Sequence, residues 1–502
     1  MNVREFLERA AAESGAKTAL VFEDRRISYS ELMNRVAALS SFLVERGITK
    51  GMRVVAYLPN IPEFVDVYLA VLSIGAILVP VDFRLKPEEV ADIVKDCTPS
   101  FIVSTATMGG GLKKDDFVKD ILFVDAPSVV EGAEYQQIIG ERGKALPSVT
   151  IGNEDEALFL YTSGSTGRPK GVVLVTRQLD LFPQQMIDTF PEIIGPDLPF
   201  GVILPMSHIS GPILVNLLLK VQSTLVIFPG WRPDVVWKSV EKERVTWFHG
   251  VPPIFQMLLV DPNLDKYDLS SLKLLAMMGM SVPKTLLLTY QQRFPHITMT
   301  QGFGLTETSP ILTFLKAKDS VRKIGSVGLP VRDAEVKVVD EGGKELPRGE
   351  AGDIIARGPM IMKGYYNNPE ETKRVIRDGW FWTGDLGMFD KEGYLYHMGR
   401  SKDIVITGGL NVYPAEIENV LLRHSDVMET AVIGVPDEKR GEVLIAFIVN
   451  RDGAPLKEKE LLKHCREHLA DFKVPKGIVA IDKIPLLSNG KVDKVKLREM
   501  GA

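Results

Sequence analysis

The residues best equipped for chemistry in this sequence sit in one short run, Tyr161-Thr-Ser-Gly-Ser-Thr-Gly-Arg-Pro-Lys-Gly-Val172. Hydroxyls from Thr162, Ser163, Ser165 and Thr166 alternate with Gly164 and Gly167, and Lys170 follows. Glycines let backbone N–H groups converge on an anion, and the hydroxyls and lysine add donors, so the chemistry implied is phosphate binding. It is not a Walker A loop, which needs Gly before the Lys and Ser or Thr after it; here Pro169 and Gly171 stand there. A plain Ser/Gly surface loop is the alternative, but this run is flanked by two strand-like stretches, Ala157–Tyr161 and Val172–Val175. Four further segments carry polar groups beside glycines. Gln301-Gly-Phe-Gly-Leu-Thr-Glu-Thr308 holds Gly302, Phe303, Gly304, Thr306 and Glu307. Trp382-Thr-Gly-Asp385 reads as a tight turn carrying a carboxylate, and Gly399-Arg-Ser-Lys-Asp403 precedes Thr407-Gly-Gly-Leu410. Pro485-Leu-Leu-Ser-Asn-Gly-Lys491 ends on a loop lysine. Taken singly, each has an ordinary reading: Glu307 as a helix-start carboxylate, Asp385 as a turn former, Lys491 as a solvated lysine.

These loops need a scaffold, and the chain alternates in a way that supplies one. Apolar steps of three and four from Tyr29 onward read as an amphipathic helix. Arg53–Leu58, Ile77–Val81 and Phe101–Ser104 read as buried strands, with helices over Glu63–Ile74 and Pro87–Lys95 between them. The pattern returns at Leu204–Lys220 and Ser223–Phe228, predicting layered α/β with mainly parallel sheet. After Ile324 the texture turns β-rich, with strands at Val336–Val339 and Asp353–Arg357. The last hundred residues form an α+β unit: helix Glu416–His424, strands Met428–Val435 and Val443–Val449, helix Lys457–Leu469. The expected division is a large domain over 1–399, a hinge at 400–402 and a small mobile domain over 403–502. The length of 502 residues calls for more than one domain, and 45% hydrophobic with 25% charged residues excludes a disordered chain. A net charge of −5 argues against nucleic acid. Two cysteines, Cys97 and Cys465, make no disulfide framework. No apolar run is long enough to span a membrane, and the start mixes acids and bases where a signal peptide would be apolar, so a cytoplasmic protein is expected.

Together and in this order, the five motifs resemble the adenylate-forming superfamily, and within it the acyl- and aryl-CoA ligases. The resemblance covers essentially the whole chain. It implies that acid and ATP form an acyl-adenylate and pyrophosphate, and that the thiol of coenzyme A then displaces AMP. By similarity, the Thr162–Lys170 loop holds the β- and γ-phosphates. Glu307 ligates Mg²⁺, and Thr306 meets the α-phosphate. Asp385, helped by Arg400, takes the ribose hydroxyls, and Lys491 reaches the α-phosphate and the attacking carboxylate. Lys402 is the hinge about which the small domain turns, bringing Gly408, Gly409 and Leu410 to the active site to line the pantetheine channel. His208, in Pro205-Met-Ser-His-Ile-Ser-Gly211, matches the family's His or aromatic position beside the acid; a structural histidine on a turn is the alternative. His249 is as readily ordinary packing. The resemblance also makes Lys491 a target for a protein acetyltransferase, and it leaves a homodimer open.

The acid pocket is expected from the His208–Pro212 turn, the Met277–Met280 stretch and Gly302–Gly304. Amino acids are disfavoured because Ser207-His208 stands where an Asp would bind an ammonium group. Met299–Leu315 contains no Arg, which disfavours a dicarboxylate. An aromatic, alicyclic or medium-chain monocarboxylate remains. Met277-Met-Gly-Met280 departs from the family's small-residue segment, with only Gly279 matching, and predicts either a reshaped pocket or plain core. The rival readings are transfer to a carrier-protein phosphopantetheine, a luciferase-type oxidase and a catalytically silent nucleotide sensor.

Overall fold

The computed structural model describes residues 2–112, 121–126, 134–141, 143–162, 169–280, 282–407, 410–437, 440–451, 457–486 and 492–501. Among these, four sheets carry the fold. The first has nine strands in the order Leu329–Pro330, Thr313–Phe314, Thr298–Phe303, Leu274–Met278, Trp247–Gly250, Phe200–Val202, Leu225–Ile227, Thr18–Phe22 and Arg25–Ser28. The second has seven, with Ile77–Val81 and Phe101–Ser104 flanking Arg53–Tyr57 in parallel. Short β-branched runs such as Ile-Leu-Val-Pro-Val are buried on both faces, as parallel strands under helices must be.

Two helices fill the space between these sheets. Pro62–Ser73 starts with proline, whose missing N–H is no loss at a first turn, and is buried along its whole length. Ser210–Val221 is its counterpart, and the Tyr68 hydroxyl donates to Asn216 Oδ1 at 2.9 Å to join them. One core cluster runs through both helices and both sheets. The price of burying Asp66 in the first helix is met by Arg35 at 2.5 Å and by the Tyr135 hydroxyl at 2.7 Å; unpaired, such a charge would be strongly destabilising.

The β-rich region is an antiparallel sheet of Glu335–Val339, Ala351–Arg357, Trp380–Phe389, Ile376–Arg377 and Leu395–Arg400. The last sheet pairs Val427–Asp437 with Gly441–Asn450 and adds Val405–Thr407, Leu410–Val412 and Gly477–Ala480. Helices Pro414–Leu421 and Glu458–His468 cover it over a core of its own. The expected α/β body, β-rich addition and α+β terminal unit are all present. The tight turn read at 382–385 is instead part of the ten-residue strand Trp380–Phe389. Gly384, at φ +72°, and a bulge opposite Asp353–Ile355 bend that strand locally, so the turn-like residues sit within a ladder. Cys97 and Cys465 are free and buried, and burial pushes their thiols up to about 12 and about 11. No helix among the described residues is long and apolar enough to cross a membrane.

Candidate active site

In the nine-stranded sheet, Phe200, Trp247, Leu274 and Thr298 lie in register on parallel strands. The four strands therefore end along one edge, where open α/β sheets place their ligands. The segments leaving that edge are the turn containing His208, Gly250–Val251, the Gly279 bend and Gly302–Glu307. Gly279 has φ +84°, a conformation that requires glycine. At Gly304 a Cβ would stand 1.8 Å from the Pro310 carbonyl oxygen, so the chain closes on itself only without a side chain. Gly302 is similarly pressed by Ile311 and Thr313. Met277 is fully buried in the core and Met278 half-buried, so the methionine stretch begins as packing and reaches the edge only at its end.

Thr306 and Glu307 lie in a 3₁₀ turn, Thr306–Thr308. The Glu307 carbonyl accepts from Met362 N at 2.9 Å, tying the turn to the segment that leads into Gly364–Tyr365. That short strand pairs with Lys170–Val175, which leaves the phosphate-type loop. Tyr365 then links the two motifs. Its hydroxyl donates to Glu307 Oε1 at 2.9 Å, and its ring lies 5.5 Å from Lys170 Nζ. Burial and the neighbouring carboxylate push the Tyr365 hydroxyl well above its usual value, so it stays a donor. Lys170 Nζ donates to Glu371, which Arg374 also grips at 2.7 Å. The Arg374 hydrogen bonds, aided by Lys170 against burial, hold the Glu371 carboxyl at about 2. Thr162 stands at the start of the loop; Ser163, Gly164, Ser165, Thr166 and Gly167 lie outside the described residues.

Asp385 is 3% exposed. Its Oδ1 faces His397 Nε2 at 3.0 Å and Arg400 Nε at 3.2 Å. Its Oδ2 is buried with no partner among the described residues. A buried carboxylate oxygen without a donor is costly, and an arriving pair of hydroxyls would satisfy it. The Phe303 ring lies 5.2 Å from that of His397, so the Gly302–Gly304 segment and the Asp385 strand share one neighbourhood. Ser401 Oγ donates to the Gly384 carbonyl at 3.0 Å, next to the turn that contains Lys402.

His208 is not a buried structural histidine: its side chain is 43% exposed. Its Nε2 lies 3.2 Å from Asp82 Oδ2 and 3.3 Å from Arg84 Nη2. Arg84 clamps both Asp82 oxygens, at 2.9 and 2.6 Å. Burial raises the Asp82 carboxyl, but hydrogen bonds from Arg84 and His208 outweigh it and hold it well below the usual range. Asn60 fastens this side of the site by bonding Leu204 O and Met206 N. His249 is buried on strand Trp247–Gly250, where burial lowers its imidazole to about 4; packing is the reading it fits.

Leu410 is exposed at the start of its strand, whereas Gly408, Gly409 and Lys491 lie outside the described residues. Leu486 and Val492, which flank 487–491, pair antiparallel, and Lys494 reaches Asp403 in the Ser401–Asp403 turn at 2.9 Å. Sequence reasoning missed Tyr365, Glu371, His397, Asp82 and Arg84. The available signals were Tyr365-Tyr-Asn-Asn-Pro-Glu-Glu371, and an Asp and Arg just past a buried strand.

Residues 7–366 match the AMP-binding enzyme family and 416–491 the AMP-binding enzyme C-terminal domain. The chain belongs to this family. It is an AMP-forming acid–CoA ligase. It is 33% identical to the indoleacetate–CoA ligase of Aromatoleum aromaticum, over 100% of this chain and 98% of that protein. It is 35% identical to a feruloyl-CoA synthase of an Amycolatopsis species, over 98% and 97%. The ligase also superimposes on ATP-bound MatB from Rhodopseudomonas palustris with a TM-score of 0.90 at 32% identity, covering 100% of this chain and 99% of that one.

Proposed function

We propose that this ligase activates a hydrophobic aromatic monocarboxylic acid, with alicyclic and medium-chain acids as its nearest variants, and passes it to coenzyme A. The observation that carries the acid class is the Asp82–Arg84 clamp. The cation beside His208 is already neutralised by a bidentate carboxylate, so it offers no free charge to a second acid group. Two similar proteins named for indoleacetate and for feruloyl-CoA agree with an aromatic acid.

In the first step a carboxylate oxygen of the acid attacks the α-phosphorus of ATP, and the bond to pyrophosphate breaks. Asp385 Oδ2 receives the ribose hydroxyls and fixes the nucleotide. Lys170 exchanges Glu371 for the β- and γ-phosphates, Thr306 donates to the α-phosphate, and Lys491 stabilises the charge gathered there. Glu307 fits a hard cation: Tyr365 holds its Oε1, and Oε2 takes no hydrogen bond among the described residues. Mg²⁺ bound there supplies charge neutralisation for the phosphates. In the second step the thiol sulfur of coenzyme A attacks the acyl carbon and AMP leaves with the bonding pair. Rotation about Lys402 brings Gly408, Gly409 and Leu410 to the site for this step, and a thiol near its usual pKa of about 8.5 supplies enough thiolate without a dedicated base.

Pyrophosphate release across a panel of acids, with and without coenzyme A, tests this reading. Release with aryl acids that coenzyme A accelerates supports it. Release confined to dicarboxylates or amino acids would overturn the acid class.

A further inference from the structure

Three histidines gather in the terminal unit, two on helix Glu458–His468 and one just past helix Pro414–Leu421. His464 and His468 lie one turn apart on helix Glu458–His468 with Glu467 between them, a spacing that puts all three on one face. One ligand atom from each lies within 4.8 Å of the others. His424, just past the end of helix Pro414–Leu421, sets its ring edge-on at 5.3 Å from His464.

The hydrogen bonds of the rings decide what they can do. His464 Nε2 lies 3.0 Å from the Val420 carbonyl oxygen, and His468 Nδ1 lies 2.9 Å from the His464 carbonyl oxygen. A carbonyl only accepts, so each of these nitrogens donates, and it is the opposite nitrogen of each ring that can offer a lone pair to a metal ion. Metal-binding histidines are typically set this way, one nitrogen donating to backbone and the other free to coordinate. The competing contact is slight: Lys463 Nζ is 3.9 Å from Glu467 Oε1, and both side chains are exposed.

We infer that His464, Glu467 and His468 form a binding site for a divalent transition-metal ion on the terminal unit, separate from the Mg²⁺ of the nucleotide site. Two imidazoles and one carboxylate suit Zn²⁺ and Co²⁺ and suit Mg²⁺ poorly. Because His464 is bonded to Val420, the occupied site links helix Glu458–His468 to helix Pro414–Leu421.

The test uses the full chain, stripped with a chelator and titrated with Co²⁺ in the presence of excess Mg²⁺. One equivalent of Co²⁺ is expected to bind, seen by its visible d–d absorption, and Zn²⁺ to displace it. His468→Gln and Glu467→Gln change exposed side chains, so both variants fold. Each is expected to weaken binding about 10- to 100-fold or more, while Glu307→Gln leaves it unchanged. Zn²⁺ is also expected to raise the melting temperature of wild type and not of His468→Gln. No Co²⁺ spectrum at tenfold excess, or binding unchanged in both helix variants, would overturn the inference.

Discussion

Replacing Asp385 by Asn interrogates the nucleotide site at its most constrained point. The residue is 3% exposed, Oδ1 is taken by His397 and Arg400, and Oδ2 has no partner among the described residues. A ribose diol donating to Oδ2 makes hydrogen bonds to a charged group, each contributing about 1.5–3 kcal/mol. In Asn, Oδ1 can still face His397 and Arg400, but the second position becomes an NH₂ that cannot accept. Loss of one such bond predicts a rise of about 10- to 150-fold in KM for ATP. The assay is pyrophosphate release at saturating acid with ATP and with 2′-deoxy-ATP. Wild type should discriminate against the deoxy nucleotide, and Asp385→Asn should lose most of that discrimination. A folded variant whose KM for ATP stays within twofold of wild type, or which still rejects 2′-deoxy-ATP as wild type does, would refute the assignment.

Other consequences are as specific. Lys170 and Glu371 are both mostly buried in their ion pair, so Glu371→Gln should free Lys170 for phosphate and tighten ATP binding about fivefold; calorimetry reads this, and weaker binding would contradict the exchange. Lys491→Ala should abolish adenylate formation while leaving transfer to coenzyme A from a synthetic acyl-adenylate largely intact, which a two-substrate kinetic comparison reveals. Gly304→Ala should destabilise the turn by about 1–3 kcal/mol or more, because its Cβ would meet Pro310 O at 1.8 Å; thermal melting shows it. His249 is held neutral down to about pH 4, whereas the unfolded imidazole takes a proton near 6.5. The unfolded chain thus binds more protons as pH falls through that window, and the native state loses about 3 kcal/mol. His249→Leu should lose less stability than wild type between pH 7 and 4.5 in urea unfolding.

The parallel core was legible because its strands are short uninterrupted apolar runs. Ile77–Val81 and Phe101–Ser104 have the bounds that the pattern suggests. The place of Asp385 in a bulged strand was not legible, since Thr-Gly-Asp reads locally as a turn. Groups whose partners are far away in the sequence do not show those partners locally. Tyr365 is ordinary until the pairing of Gly364–Tyr365 with Lys170–Val175 carries it to Glu307. His397 gains its meaning from the register that lays Leu395–Arg400 beside Trp380–Phe389. Arg84 lies outside Met299–Leu315 and reaches His208 from the other sheet, a contact that the sequence does not show locally.

The most direct test of the central claim is a rapid-quench single turnover with an aryl acid and ATP, followed by addition of coenzyme A. Acyl-adenylate and pyrophosphate are expected before the thiol is added, then acyl-CoA and AMP in equal amounts afterwards. Formation of ADP and phosphate, or acyl-CoA appearing with no adenylate before it, would contradict that claim.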